Sequence, residues 1–280
     1  MMELQNLTGL EKPFTILFQG LINGCSHVFM PFIKRWQAKY EIETKEIHDA
    51  YGLVTSMKKA CQEELVSSIR THRDAREISN IVNVYTTAIT EMQAFIAANP
   101  TFEAKEIDQD WSSVFYDCAK GCSREEMQIL WAKILVKKCQ GERYYKRTLW
   151  TLKNMETEEA ECLVELAPYL INKSFIPAFV YEKEFMAFNK IQTLADCGCI
   201  NPQECVISYR AKDDVLIAGH SVRRDSKLGK IDITGMSMTD VGCQLVDLIQ
   251  EVRPDEHFTE EFRLYLEWAY KDQPELVSIE

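Results

Sequence analysis

Met127, Leu130, Trp131, Ile134 and Leu135 fall at i, i+3, i+4, i+7 and i+8, an apolar stripe with the period of a helix. Ser123 and Glu126 precede it with the spacing of a capping box, in which the serine oxygen takes the N3 amide. Lys137 and Lys138 lie in the last turn, where cations suit the helix dipole, and Gly141 is the stop. The neighbouring patterns repeat this punctuation. Asp110 predicts a cap for "WSSVFYDCAK", which Gly121 closes; Lys146–Met155 reads as a helix; Thr157 predicts a cap for "EEAECLVELAPYLI". Residues 110–173 thus read as a helical bundle.

From Lys45 to Ala98 the chain is rich in Ala, Glu, Lys, Met and Gln and contains no Pro. Ile81, Val84, Ile89 and Met92 recur at three-to-five-residue intervals, predicting two long helices divided near His72–Ala75. Asn99-Pro100 ends the second, because a residue before Pro avoids the helical region. Residues 1–98 form a long-helix region by this reading, and 99–109 an acidic linker. After Ser174 the period changes. "SFIPAFVYE" reads as extended and Phe185–Cys197 as a helix stopped by Gly198; "CVISYR", "DVLIAGHSV" and "GKIDITGMSM" read as three strands. Thr239 or Asp240 caps "VGCQLVDLIQEV", Pro254 breaks it, and Thr259 opens a terminal helix. Over 174–280 this is the outline of a winged-helix-like α+β module. The expected fold class is mainly α: long N-terminal helices, a helical bundle and that small C-terminal module.

Composition narrows the function. A net charge of -11, with the last thirty residues contributing nine acids against Arg253, Arg263 and Lys271, excludes a general nucleic-acid coat. A local patch is still available: Arg223, Arg224, Lys227 and Lys230 surround the loop "RRDSKLGK", where a wing could lie along phosphates. Phe14–Ile33 carries no Asp, Glu, Lys or Arg. Gln19, Asn23, Ser26, His27 and Pro31 argue against a spanning helix, since each would need a partner in hydrocarbon. The segment instead reads as a buried element or as a docking helix for a partner or membrane surface, with Phe18, Gly20, Ile22, Gly24 and Phe29 as candidate contacts.

The ten cysteines sit largely in apolar runs, as small hydrophobes do. With no basic n-region or small-residue cleavage site at the start, the expectation is a cytoplasmic protein with reduced thiols, membrane-associated if the docking helix meets lipid. Cys197, Cys199, Cys205 and His220 offer zinc-type ligands, but C-x-C-x5-C lacks a second C-x2-C pair, so no metal or other cofactor is expected. Gly235-Met-Ser237 lacks the closing glycine of a nucleophile elbow, and "KLGK" lacks the rest of a phosphate loop. No convergent acid and base appear, and no catalytic residue is expected.

"REEMQILWAKILVKKCQGERYYKRTLWTLKNMETEEAECLVELAPYLI" resembles a bacterial family, domain-of-unknown-function family 2806, and more loosely the Abi-alpha abortive-infection proteins. "LWAKIL", Gly141-Glu142, Arg147-Thr148-Leu149 and "METEEAECL" carry the resemblance, as do "REISNIVNVYTTAI", "LADCGCI" and "SMTDVGCQLVDLI". It spans roughly residues 20–250 and departs at Cys199 and Met238, where the family has leucine. The resemblance implies a mostly helical protein linked to phage defence, and supplies no catalytic residues. The expected function is a non-enzymatic interaction protein in phage defence or abortive infection, its partner a second copy or another defence protein. The alternatives are a nucleic-acid-binding regulator using the basic wing and a membrane-associating effector using residues 14–33.

Overall fold

A computed structural model describes residues 72–210, 215–217, 220–223, 230–249, 252–253, 255–269 and 278–279. The docking candidates Phe18, Gly20, Ile22, Gly24 and Phe29 lie outside them, as does the first of the two long helices. Among the described residues the chain is mainly helical with small antiparallel sheets, and no helix is long and apolar enough to cross a membrane. It divides into two compact units, Met1–Leu149 and Trp150–Glu280.

In the first unit, α1 (His72–Ala98) packs on α2 (Gln109–Ala119) and α3 (Glu125–Cys139). Ile81, Val84, Tyr85, Ala88, Ile89, Met92 and Ile96 form one buried stripe along α1, the helical period predicted for it. Each of the larger apolar side chains contributes about 1.5–3 kcal/mol by leaving water. Trp111 stacks on Phe115 at 5.2 Å between ring centres, and Phe115 meets Trp131 edge-on at 5.6 Å. The Trp111 indole N–H donates to the Tyr144 carbonyl at 2.8 Å, so the ring is buried without stranding its polar atom. Residues 99–109, read above as a linker, lie within this unit: Ala104 and Ile107 are buried, and the Lys105 amide donates to the Cys139 carbonyl.

Three caps differ from expectation. Asp108 caps α2 by accepting from the Trp111 amide at 2.8 Å; Asp110 is already inside the first turn, too far along to reach that amide. Arg124 precedes α3 with no side-chain cap, because the Ser123 hydroxyl oxygen accepts from the Asn80 side-chain amide instead. Helix α4 (Lys146–Asn154) runs through the division between units, and α5 (Thr157–Leu166) follows. Glu156, not Thr157, caps α5, in a reciprocal box with Glu159. Gly141 ends α3 and Gly198 ends the later helix Phe188–Asp196 with φ of +90° and +79°, the left-handed stop that glycine adopts without strain.

In the second unit a 3-10 turn, Ala167–Tyr169, leads to β1 (Phe175–Pro177), α6 (Phe179–Glu182), α7 (Phe188–Asp196) and β2 (Ile200–Arg210). "SFIPAFVYE" is therefore strand for three residues and helix afterwards. "DVLIAGHSV" holds two strands, β3 (Val215–Ile217) and β4 (His220–Arg223), followed by β5 (Lys230–Met238). Helices α8 (Asp240–Val246) and α9 (Glu256–Ala269) and strand β6 (Ser278–Ile279) complete the unit. One antiparallel sheet has the order β1-β5-β2 and the other β3-β4-β6. Helix α9 begins earlier than Thr259, because Asp255 accepts from the Phe258 amide and thereby caps it. Phe258 and Phe262 of α9 join Tyr169, Phe179 and Phe185 in an aromatic core. The two family departures, Cys199 and Met238, are both buried, as core exchanges for leucine would be.

Candidate functional site

Helix α7 buries Ile191 and Leu194 and turns Phe188, Asn189, Gln192 and Asp196 outward. Its one cation, Lys190, is bonded to the Glu165 carboxylate at 2.5 Å, which raises the lysine pKa. Phe188, 46% exposed, meets the Tyr181 ring edge-on at 5.6 Å. The Tyr181 hydroxyl donates to Glu204 on β2 at 2.6 Å. Burial first, then that hydrogen bond and the carboxylate charge, holds the phenol well above its usual range. Val206, 58% exposed, stands on the same strand as Glu204. The chemistry of these residues is apolar and acidic.

The predicted basic patch is described in part. Lys230 opens β5 opposite Arg210 in the β2–β5 register, and Arg223 ends β4 opposite Ser278. Arg224 and Lys227 lie outside the described residues. Further along the same ladder Ser208 donates to the Asp232 carboxylate. The register therefore brings Arg210, which sequence reading passed over, beside one residue of the predicted patch.

Behind α7 is the turn Cys197-Gly198-Cys199. The two sulfurs lie 3.5 Å apart, within reach of a shared hydrogen bond, and the Cys197 sulfur is also 3.3 Å from the Leu194 carbonyl oxygen, so its single proton serves only one of the two contacts at a time. Sharing that bond favours the Cys197 thiolate and lowers its pKa. The same bond, with burial and the neighbouring charge, holds Cys199 far above an ordinary thiol. The Thr239 hydroxyl donates to the Gly198 carbonyl at 2.6 Å and accepts from the Gly242 amide, so one side chain fastens the turn and caps α8. Gly242 is required there, since a Cβ would meet the Cys199 carbonyl oxygen at 2.1 Å. Cys205 is exposed on β2 and His220 lies on β4. Among the described residues no group of three or more His, Cys, Asp or Glu could hold a metal ion.

In the first unit the polar centre is buried. The Asn80 amide donates to the Lys120 carbonyl at 2.9 Å and to the Ser123 hydroxyl at 3.2 Å. The Gln128 amide donates to the Asn80 side-chain oxygen at 3.3 Å and to the Cys122 carbonyl at 2.9 Å. The pair closes the loop between α2 and α3 against α1, and carries no group that titrates or attacks.

Residues 67–174 match a family model described as a protein of unknown function, DUF2806. No curated protein matches the chain, and no solved structure does. The DUF2806 match takes in the Asn80–Gln128 pair and ends before β1, so α7, strands β2–β6 and the C-G-C turn lie beyond it. The parts of the wider resemblance at 20–66 and 175–250 also fall outside the DUF2806 match.

Proposed function

We propose that the chain is a non-enzymatic interaction protein whose second unit is a winged-helix-like module presenting α7 to a protein partner. The observation that carries this reading is the outward chemistry of α7 and β2: Phe188 and Val206 exposed, Glu204 and Asp196 acidic, and Lys190 committed to Glu165. Such a surface repels phosphate and offers apolar area to a protein. The order helix, strand, two helices, strand, hairpin, strand, with β1 on β5, supports the winged-helix comparison. On the same reading, residues 110–173 form a helical bundle. The setting in phage defence or abortive infection rests on the Abi-alpha resemblance, and a second copy or another defence protein is the partner. Light scattering on the full chain, alone and with proteins retained on it, tests the reading alongside phage plating efficiency. Phe188→Asp with Val206→Asp is expected to dissolve the assembly and remove protection while the far-UV circular dichroism is kept. Assembly and protection both unchanged would overturn it.

A second reading, a nucleic-acid-binding regulator, is favoured by the Arg210–Lys230 register, with Arg223 at the end of β4. It predicts binding that falls steeply with salt and weakens when Arg223, Arg224, Lys227 and Lys230 are replaced by Ala. Binding indifferent to both would remove it.

A further inference from the structure

We propose that Cys197 and Cys199 form a reversible dithiol–disulfide site whose substrate is a peroxide-class oxidant. The two sulfurs are already 3.5 Å apart, and a disulfide needs them at about 2.05 Å, so closure is a local movement. The cysteines differ in access: Cys197 is partly exposed, whereas Cys199 is 0% exposed directly behind it. That is the division of labour of an attacking and a resolving thiol. The shared hydrogen bond supports it by favouring thiolate at Cys197, the accessible member. Cys139, by contrast, is buried and perturbed by desolvation alone.

The chemistry balances within the pair and the oxidant. The Cys197 thiolate attacks one peroxide oxygen, the O–O bond breaks, and the departing hydroxide takes a proton to become water. Cys197 is left as the sulfenic acid. The Cys199 sulfur then attacks the Cys197 sulfur, the S–O bond breaks, and the hydroxide leaves with the Cys199 proton as a second water. Two thiols have lost two electrons and two protons, and the peroxide has been reduced to two waters.

Closing a ring over one intervening residue stores strain, and strained disulfides are the readily reduced, regulatory ones. Nothing lies within 4 Å of where a Gly198 Cβ would stand, so the turn is open on that side. The consequence reaches α8. The Thr239 hydroxyl donates to the Gly198 carbonyl and its amide to the Cys199 carbonyl while the same hydroxyl oxygen caps that helix, so a turn rearranged by oxidation pulls on both.

The test uses full-length reduced protein treated with hydrogen peroxide, then alkylated and analysed by intact mass and non-reducing peptide mapping. Because Cys205 would share a tryptic peptide with the pair, the measurement is repeated in Cys205→Ser. The expected result is a loss of about 2 Da, mapped to Cys197–Cys199, kept in Cys205→Ser, absent in Cys197→Ser and reversed by dithiothreitol. In Cys199→Ser the reaction should stop at a sulfenic acid on Cys197 that dimedone traps. If that variant fails to fold, wild-type mapping decides alone. Full alkylation of both cysteines after peroxide, or a mass loss that vanishes in Cys205→Ser, would overturn the proposal.

Discussion

Asn80 and Gln128 in the first unit, and Thr239 with the C-G-C turn in the second, solve the same problem with different groups. Each ties a loop to a neighbouring element through side-chain bonds to backbone carbonyls. The first unit uses buried amides, which satisfy the loop and can do nothing else. The second uses a hydroxyl beside two thiols, one of them reachable from solvent. Polar burial alone therefore does not mark a site. What marks the second region, outside the DUF2806 match, is a partly exposed thiol with a second sulfur 3.5 Å behind it; the loop of the first region also carries a partly exposed thiol, Cys122, which burial raises.

The largest effect that would sharpen the contrast is removal of a core aromatic from either unit. Trp131→Ala takes a fully buried ring from contact with Phe115, and Phe258→Ala takes one from the Tyr169–Phe262 cluster. Each should cost about 3–5 kcal/mol in urea unfolding, the lost burial plus the cavity left behind. Only the Phe258 change should alter peroxide closure at Cys197–Cys199. Equal effects on closure would break the separation drawn between the units.

Next comes Asn80→Ala. It leaves the buried Gln128 amide short of a bond and unties the half-buried Lys120 carbonyl and the exposed Ser123 hydroxyl from α1, at about 1–3 kcal/mol. Hydrogen exchange should rise between Lys120 and Ser123 and stay level at the C-G-C turn. A loss below measurement would mean that water replaces the amide, and that this network is not the loop's fastening.

Much of this was legible from pattern. The stripes of α1 and α3, the stops at Gly141 and Gly198, a cap at Thr239 or Asp240 (the structure has Thr239) and strand β5 all follow from local chemistry acting within a few residues. The misplaced caps have two causes. Ser123 has the right spacing for a box, but its oxygen is taken by Asn80, 43 positions away, and no local rule registers that competitor. Asp110 and Thr157 each lost to an acid just upstream, Asp108 and Glu156, because several candidates stood within one turn. The candidate surface was harder to read. Phe188, Glu204 and Val206 become neighbours in kind only through the α7–β2 arrangement, while Arg210 pairs with Lys230 through register. Cys197 and Cys199 were visible as a motif. Their relation as thiols was not, because the sulfur–sulfur distance depends on the left-handed turn at Gly198.

The smallest expected effect concerns the thiol that resembles Cys199 in burial but lacks a partner sulfur in its perturbation. Burial pushes Cys139 up to about 12, so the folded state holds its proton where an unfolded thiol, ionising near ~8.5, has lost it. Between those values the unfolded chain binds fewer protons than the folded one, and stability must fall as pH rises. The Cys139 contribution is complete below the unfolded pKa and is lost as pH climbs through the folded one. Its slope is at most about 1.4 kcal/mol per pH unit. Cys199, Cys162 and Cys243 are raised as well, so a residual slope of the same sign should survive. Urea midpoints from pH 8 to about 10.5 should decline less steeply in Cys139→Ala than in wild type. Parallel profiles would show that water reaches this sulfur in the folded state, and Cys139 would then join Cys197 as a thiol open to oxidant.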